Sequence, residues 1–258
     1  MILSSLFGSK KVEAPKDHNI PTNNFREAGK VQAEVLDVAV HQLKTPLVGM
    51  KWSLKMLIDG EIGPLNNEQR VLLIQTYNTN DQIISTVDGL LYADRIESGS
   101  FKFSFFDANI ADILIRKVGD MMPNAENKKV TIEVKADREN LPNVSVDSEK
   151  IMVVFQNLIE NSLRYTKEGG KITITVSDKG DNVQIAVEDN GIGIPEDQKD
   201  TIFNKFFRAK NAFLVDPNGS GLGLYIAKGI VEKHGGQIWF ESTEGKGTKM
   251  IFTIPVRR

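Results

Sequence analysis

One histidine, His41, lies in a segment whose spacing predicts that its ring faces solvent. Apolar residues recur around it at alternating steps of four and three, which is the pattern of a helix with one buried stripe. These apolar residues are Leu36, Val40, Leu43, Leu47, Met50, Leu54 and Leu57. On a helical wheel His41 lies roughly 140° from the centre of this stripe, and Thr45 follows one turn later on the outer face. A neutral imidazole is a nucleophile, so a ring displayed in this way could accept a transferred group.

A second predicted helix, from Ile151 to Tyr165, carries polar side chains on one side. Asn157, Asn161 and Arg164 follow one another at steps of four and three, so they line up along one face of the helix. Apolar residues occupy the opposite face. The polar row is either a solvated surface or the wall of a cavity.

An Asp-Gly segment directly follows a predicted strand and contains Asp189, Gly191 and Gly193. The two glycines would let the backbone approach a planar ligand closely. The Asp189 carboxylate could then accept a hydrogen bond from the amine of a base. A plain surface turn is the other interpretation of the same residues.

Two further segments have the composition of phosphate-binding elements. Arg208 ends the Phe-rich stretch Ile202–Arg208, and its guanidinium could reach a terminal phosphate. The final predicted helix is opened by the segment Gly219-Ser220-Gly221-Leu222-Gly223. Glycines at a helix start expose backbone N–H donors at the positive end of the helix dipole, which suits a diphosphate or triphosphate.

The composition excludes several classes of protein. The 32 lysines and arginines are balanced by 34 acidic residues, which argues against a nucleic-acid binder. The chain has no cysteine, so disulfides, thiolate catalysis and cysteine metal sites are excluded. No apolar run approaches the roughly 20 residues of a membrane span. We therefore expect a cytoplasmic protein without a transmembrane segment, whose association with a membrane through Met1–Phe7 is at most weak.

The hydrophobic pattern divides the chain into three parts. Residues 1–24 are expected to be flexible, because Lys10–Asn24 is polar and contains proline. Residues 25–98 read as two long helices, Phe25–Asp59 and a second helix that Asn66 or Asn67 caps and that continues to Ser98. A lone helical hairpin leaves its apolar stripe uncovered, so we expect a homodimer that forms a four-helix bundle. Ser98-Gly99-Ser100 would then act as a hinge before residues 99–258.

Residues 99–258 alternate in a way that predicts an α+β fold, with helices on one side of a mixed sheet in a two-layer sandwich. Helices are expected at Ile110–Met122, from Asp147 or Ser148 to Tyr165, and at Leu222–His234. The expected strands are Phe101–Phe105, Val130–Val134, Ile172–Val176, Val183–Glu188, Gln237–Ser242 and Lys249–Ile254.

The string His41-Gln42-Leu43-Lys44-Thr45-Pro46-Leu47 resembles the phosphoacceptor box of sensor histidine kinases, usually written His-Glu-Leu-Arg-Thr-Pro-Leu. The Asn-rich helix, the Asp-Gly segment, the Phe-rich stretch and the glycine segment follow in the order found in the catalytic domain of that family. This domain belongs to the ATPase superfamily that includes gyrase. The resemblance extends over Phe25–Pro255.

The resemblance implies an ATP-dependent autokinase of two-component signalling with ATP and Mg²⁺ as cofactors. His41 would be phosphorylated and would pass the phosphoryl group to an aspartate of a separate response regulator. Asn161 matches the magnesium ligand of the family and Asn157 its companion, while Arg164 and Tyr165 match the residues that contact phosphate and adenine. The positions that match the adenine site and the phosphate-binding segments are Asp189, Gly191, Gly193, Arg208, Gly219, Gly221, Leu222 and Gly223.

Gln42 departs from the family pattern, because an amide accepts a hydrogen bond but does not act as a base. Loss of a general base typically slows a reaction about 10²- to 10⁴-fold, so we expect reduced but real activity. The alternative is a dimeric ATP-binding scaffold that binds a regulator without transferring phosphate. A plain ATPase or a serine-directed kinase of the superfamily is a third possibility.

Two residues near His41 have alternative interpretations. Thr45 matches a position linked to phosphatase action in the family, yet a helix-surface threonine often only bonds to the preceding turn. Trp52 lies on the same outward face as His41 and Val48. It is either a docking point for the regulator or a contact with the second helix or the catalytic domain.

Overall fold

The computed structural model describes residues 22–256, with side chains from residue 38 onward. Most of the predicted flexible segment, residues 1–24, lies outside the described residues. Helix α1 spans Thr22–Ile58 and contains Pro46, and helix α2 spans Asn67–Glu97. Asn66 caps α2 through a capping box, since its side chain accepts from the Gln69 N–H at 2.8 Å. The sequence thus predicted both helices, with ends displaced by up to three residues.

The two helices form an antiparallel hairpin held by polar contacts along their seam. Lys44 binds Asp88 at 2.7 Å. About two turns further along α1, Lys51 binds Asp81. Asn80 is buried and donates to the Leu47 carbonyl at 2.9 Å. These pairs fix which face of α2 lies against α1.

The apolar stripe of α1 is only partly covered within the chain. Val40 and Leu54 are 3% and 8% exposed, so they are buried in the hairpin. Leu43 and Met50 are 56% and 49% exposed, although they belong to the same stripe. One edge of the stripe therefore faces outward. Among the described residues, no helix has the length and apolarity needed to cross a membrane.

The second unit is built from short strands and helices that alternate along the chain. In order they are β1 (Phe106–Ala108), α3 (Ile110–Asn127), β2 (Thr131–Ala136), β3 (Val144–Val146), α4 (Ser148–Tyr165), β4 (Lys171–Asp178), β5 (Asn182–Asp189), a 3₁₀ turn (Glu196–Thr201), α5 (Lys210–Val215), α6 (Gly223–Lys233), β6 (Ile238–Thr243) and β7 (Gly247–Pro255). The predicted α+β architecture is confirmed.

The main sheet has the strand order β2-β4-β5-β7-β6. Strands β2 and β4 run parallel, and the other neighbours are antiparallel, so the sheet is mixed as predicted. Phe155 of α4 and Phe252 of β7 are fully buried, with ring centroids 5.7 Å apart. The core thus lies between one face of the sheet and the helices, and α4 is anchored in it.

The predicted strand Phe101–Phe105 is wrong, because the strand begins at Phe106 and pairs with Val144–Val146. Phe101, Phe103 and Phe105 do alternate, but their rings pack on one another at 5.1 and 5.8 Å instead of building a ladder. An extended chain has the same two-residue period as a strand. Period alone therefore did not reveal whether a pairing partner exists.

Short elements and one helix end also differ from the prediction. Strand β3, the 3₁₀ turn and helix α5 were not predicted. Helix α3 was predicted to end at Met122, yet it continues through Pro123 to Asn127. Ala125 is fully buried in this last turn, so packing against the core outweighs the proline.

A buried histidine, His234, packs against the rings of Phe103 and Phe105 and also contacts the start of α4. Its Nε2 accepts the backbone N–H of Asp147 at 3.0 Å, and its Nδ1 lies 2.8 Å from the Ile230 carbonyl, to which it donates. Asp147 in turn caps α4 and accepts the Ser104 N–H at 2.9 Å. Burial lowers the pKa of His234. The Nε2 contact requires the neutral imidazole, because a protonated ring has no nitrogen left to accept a hydrogen bond.

Candidate functional site

A cavity of about 220 Å³ lies where α4, the ends of β5 and α6, and helix α2 meet. All the predicted nucleotide-binding residues except Gly191 line it. They are Asn157, Asn161, Arg164, Tyr165, Asp189, Gly193, Arg208, Gly219, Gly221, Leu222 and Gly223. The structure thus brings together four segments that are separated by up to 66 residues in the sequence (223 − 157).

Helix α4 supplies the polar wall of the cavity. Asp147 caps its start by accepting from the Lys150 N–H at 3.1 Å, and the apolar face is buried in the core. The last turn is closed by Lys128, whose ammonium donates to the carbonyls of Leu163 and Arg164 at 2.5 and 2.7 Å. The row that begins at Asn157 consequently lines a cavity and is not a plain solvated face.

The Asp189 carboxylate lines the cavity and, among the described residues, is held by three donors. Its Oδ1 accepts the Gly191 N–H at 2.9 Å and the Thr248 N–H at 3.2 Å, and its Oδ2 accepts the Ser162 hydroxyl at 3.1 Å. Burial raises the pKa of Asp189, while these hydrogen bonds act in the opposite direction. The carboxylate is therefore partly desolvated and fixed in orientation.

The two glycines after Asp189 let the backbone fold closely around this carboxylate. Gly193 has φ +66°, and a Cβ there would collide with the backbone of Thr243. Gly191 does not line the cavity, but its N–H orients Asp189. Ile192 donates to the Tyr165 carbonyl at 3.2 Å, which ties this turn to the end of α4. The segment is therefore structured around the site and is not a simple surface turn.

Two arginines that line the cavity converge beside Gly219. A Cβ on Gly219 would lie 3.0 Å from Arg164 Nη1 and 3.1 Å from Arg208 Cζ, so glycine leaves room for both guanidinium groups. Such a pair of permanent positive charges is suited to an anion such as a phosphate.

The segment from 210 to 221, which we name the lid, engages both of these arginines. Arg164 Nη1 lies 3.2 Å from the Asp216 carboxylate. Arg208 donates to the Asp216 carbonyl, and to the Pro217 carbonyl at 2.7 Å. Sequence reasoning missed Asp216, because nothing in the sequence shows that the lid folds back onto the arginines.

Helix α2 forms a wall of the cavity that the sequence did not predict. Gln82 donates to the Asn218 carbonyl of the lid, and Gly89 lies against Leu222. At the end of α2 the Glu97 carboxylate lies 3.0 Å from Lys205 Nζ and accepts the Tyr225 hydroxyl at 3.1 Å. Polar contacts of Gln82 and Glu97 therefore hold the helical hairpin against the second unit of the chain.

His41 is exposed, as predicted, and lies away from this cavity. It shares a shallow cleft with Gln42, Lys44 and Asp88. The Asp88 carboxylate in this cleft is bound by Lys44. The Thr45 hydroxyl donates to the His41 carbonyl at 3.1 Å, which is the back-bonding that a helix-surface threonine adopts.

The described residues contain no cluster of three or more His, Cys, Asp or Glu side chains suited to a metal ion. The fit to Mg²⁺ therefore depends on Asn161, whose side chain lines the cavity and makes no hydrogen bond to another described residue. Mg²⁺ needs few protein ligands when phosphate oxygens and water complete its shell. One free amide oxygen beside a phosphate site fits that requirement.

Known proteins resemble both units of the chain. Residues 146–258 match the family of histidine kinase-, DNA gyrase B- and HSP90-like ATPases, and residues 31–99 match the His Kinase A (phospho-acceptor) domain. The sensor histidine kinase WalK of Bacillus subtilis is 34% identical over 84% of this chain. The alginate biosynthesis sensor protein KinB of Pseudomonas aeruginosa is 31% identical over 88% of it. The chain spans 35% and 37% of the lengths of these two relatives.

Solved structures resemble this chain as well. Full-length ShkA in complex with AMPPNP has a TM-score of 0.69 and 26% identity, and the match covers 86% of this chain and 45% of ShkA. The catalytic domain of the histidine kinase ThkA has a TM-score of 0.52 and 33% identity, and the match covers 59% of this chain and 97% of that domain. The chain therefore belongs to the sensor histidine kinases, with a phosphoacceptor hairpin followed by an ATPase-type catalytic domain.

Proposed function

We propose that the protein is an ATP-dependent histidine autokinase that phosphorylates His41. The unprotonated ring nitrogen of His41 forms a bond to the γ-phosphorus while the bond to the β–γ bridging oxygen breaks. ADP leaves, and the other ring nitrogen releases its proton to solvent. The observation that carries this proposal is a single cavity whose lining combines the oriented Asp189 carboxylate with the guanidinium groups of Arg164 and Arg208. The AMPPNP bound to the related ShkA supports the same choice of ligand.

The chain's own residues divide the work of binding. Asp189 accepts a hydrogen bond from the adenine amine, and Arg164 and Arg208 neutralise phosphate charge. Asn161 would hold Mg²⁺ at the phosphates, with Asn157 as its companion on the same face of α4, and the ion would supply further charge neutralisation there. The lid must release the arginines when phosphate binds, because the Asp216 carboxylate is paired with the Arg164 guanidinium in this structure.

We place the domain boundary at the hinge Ser98-Gly99-Ser100, between units 25–98 and 99–258. Gly99 has φ +66°, and a Cβ on it would meet nothing within 4 Å. The residue is therefore free of packing constraints and can absorb a change in backbone angle. Such movement would carry the nucleotide from its position beside α2 to a phosphoacceptor histidine.

We also propose that two hairpins pair as a homodimer in a four-helix bundle. Leu43 and Met50 are exposed members of the α1 stripe, and Leu72 of α2 is 64% exposed. Exposed apolar side chains in a row favour a second helical surface over water. The phosphoacceptor class of the hairpin supports dimerisation.

The phosphoryl group would pass from His41 to an aspartate of a separate response regulator. Trp52 is 65% exposed on the face of α1 below His41, and we propose it as a regulator contact. Thr45 would orient a water for phosphatase action only if it gives up its bond to the His41 carbonyl. Transfer from phosphorylated chain to regulator in a Trp52→Ala variant tests the docking role, and an unchanged rate would contradict it.

Labelling with γ-³²P-ATP tests the autokinase proposal. Acid-labile label is expected on the wild-type chain and none on His41→Gln. Nucleotide binding without any label would instead identify a non-catalytic scaffold. Acid-stable label, or free phosphate that is independent of His41, would identify a serine-directed kinase or a plain ATPase.

A further inference from the structure

A buried serine, Ser162, contacts the carboxylate that would bind the base. It follows Asn161 on α4, is 2% exposed and lines the cavity. Its hydroxyl lies 3.1 Å from Asp189 Oδ2. An ionised carboxylate only accepts hydrogen bonds, so the hydroxyl must be the donor.

The hydrogen bonds to Asp189 leave only one of its oxygens available to a ligand. Oδ1 accepts two backbone N–H groups, from Gly191 and Thr248 at 2.9 and 3.2 Å, which uses both of its in-plane lone pairs. Among the described residues, Oδ2 accepts a hydrogen bond from Ser162 alone, so it keeps one lone pair. Ser162 thereby decides which oxygen faces the ligand and in what direction.

We propose that Ser162 is a positioning residue that makes the cavity select a 6-aminopurine over a 6-oxopurine. Because its only hydrogen is committed to Asp189, the serine and the carboxylate present acceptors alone to the ligand. The amine of adenine supplies the matching donors, whereas the oxygen of a 6-oxopurine would meet another acceptor. This inference rests on the proposed binding of a purine nucleotide in this cavity.

Loss of the serine hydroxyl should weaken only the contact made by the purine amine. Without its donor, Oδ2 is no longer held in one direction and its charge is less well stabilised in a buried site. We expect Ser162→Ala to weaken ATP binding about tenfold, which is typical of a lost hydrogen bond to a charged group. Purine riboside triphosphate has no 6-substituent, so its affinity should change less than about twofold.

The experiment compares dissociation constants of ATP, GTP and purine riboside triphosphate on the full chain. The proteins are wild type, Ser162→Ala, Ser162→Cys and the control Ser53→Ala. Ser53 is an exposed serine on α1 that donates to a helix carbonyl at 3.1 Å, so its removal should change nothing. Ser162→Cys keeps the branching of the side chain but is slightly larger and supplies a weaker donor, and an intermediate loss of ATP affinity is expected.

The outcomes separate this inference from the proposed function. An ATP-specific loss in the Ala and Cys variants, with a smaller ratio of ATP to GTP affinity, supports the positioning role. Equal losses for all three nucleotides, or wild-type ratios in both variants, overturn it while leaving the kinase proposal intact. If the wild-type chain binds none of the three, both proposals fail together.

Discussion

Replacing Asp216 by asparagine should strengthen nucleotide binding. The Asp216 carboxylate lies 3.2 Å from Arg164 Nη1, so in the proposed function it competes with a phosphate oxygen for this guanidinium. Asparagine keeps the shape of the lid turn, because its side-chain oxygen can still accept the Asn218 N–H, which Asp216 Oδ1 accepts at 2.9 Å. The substitution therefore removes the competing charge with little change in local structure.

The size of the expected change in ATP affinity follows from the exposure of the Arg164–Asp216 ion pair. The side chains of Arg164 and Asp216 are 37% and 25% exposed, so solvent screens their attraction. Partly exposed ion pairs typically contribute about 0.5–1 kcal/mol. Removing this competitor should lower the dissociation constant for ATP roughly two- to fivefold.

Calorimetric titration with a non-hydrolysable ATP analogue at low and high salt measures the effect. The difference between Asp216→Asn and wild type should shrink as salt rises, because salt screens an exposed pair. Asp178→Asn is a matched control, since Asp178 accepts the Gly180 N–H at 2.7 Å in a similar turn outside the cavity. Equal or weaker binding by Asp216→Asn would refute the competition, and would indicate that Asp216 instead orients Arg164 for phosphate.

Three further predictions concern rate and stability. Gln42→Glu restores a base beside His41, so the initial rate of labelling by γ-³²P-ATP should rise by up to about 10²-fold, and an unchanged or lower rate argues against a base role. Glu97→Gln weakens the exposed link to Lys205, so labelling should accelerate about two- to fivefold if the catalytic domain must leave α2; a slower rate would mean that the link assists transfer. Burial lowers the folded-state pKa of His234, so the unfolded chain takes up this proton first and stability falls as pH drops below about 6.5. Urea unfolding from pH 7.5 to 5.0 should show this slope in wild type and a shallower one in His234→Gln.

Elements with strong periodicity or clear caps were predictable from the sequence. The Asn66 capping box and the Asp147 cap are both present at the starts of their helices. Strands β4 and β5 also match: buried and less buried residues alternate along β4, and in β5 the alternation holds as far as Ile185. The elements that were missed are short, and β3 exists through pairing with β1. Three residues carry too little pattern to reveal a partner that lies about 40 positions away.

Parts of the candidate site were predictable where a residue's type and its place in an element together indicate a ligand contact. Asp189 after a strand and the glycines before α6 are of this kind. Ser162 lies beside Asn161, yet the helical pattern assigned it to no role, since only the fold shows which carboxylate it meets. Asp216 and Gln82 were missed for a related reason, because both act across contacts between separate segments that local sequence does not encode.

Helix α2 separates the two chemical centres of the chain. The residues that face α1 and the His41 cleft include Asp81, Asp88 and Leu91, and those that line the nucleotide cavity are Gln82, Ser85, Thr86 and Gly89. At about 100° per residue the centres of these two sets lie roughly 120° apart around the helix. The body of α2 therefore stands between the cavity and His41 of the same chain. In the proposed autokinase, transfer to His41 of the same chain would require the catalytic domain to leave this face of α2. The links at Gln82 and Glu97 would then oppose the reaction, and a signal that breaks them would promote it.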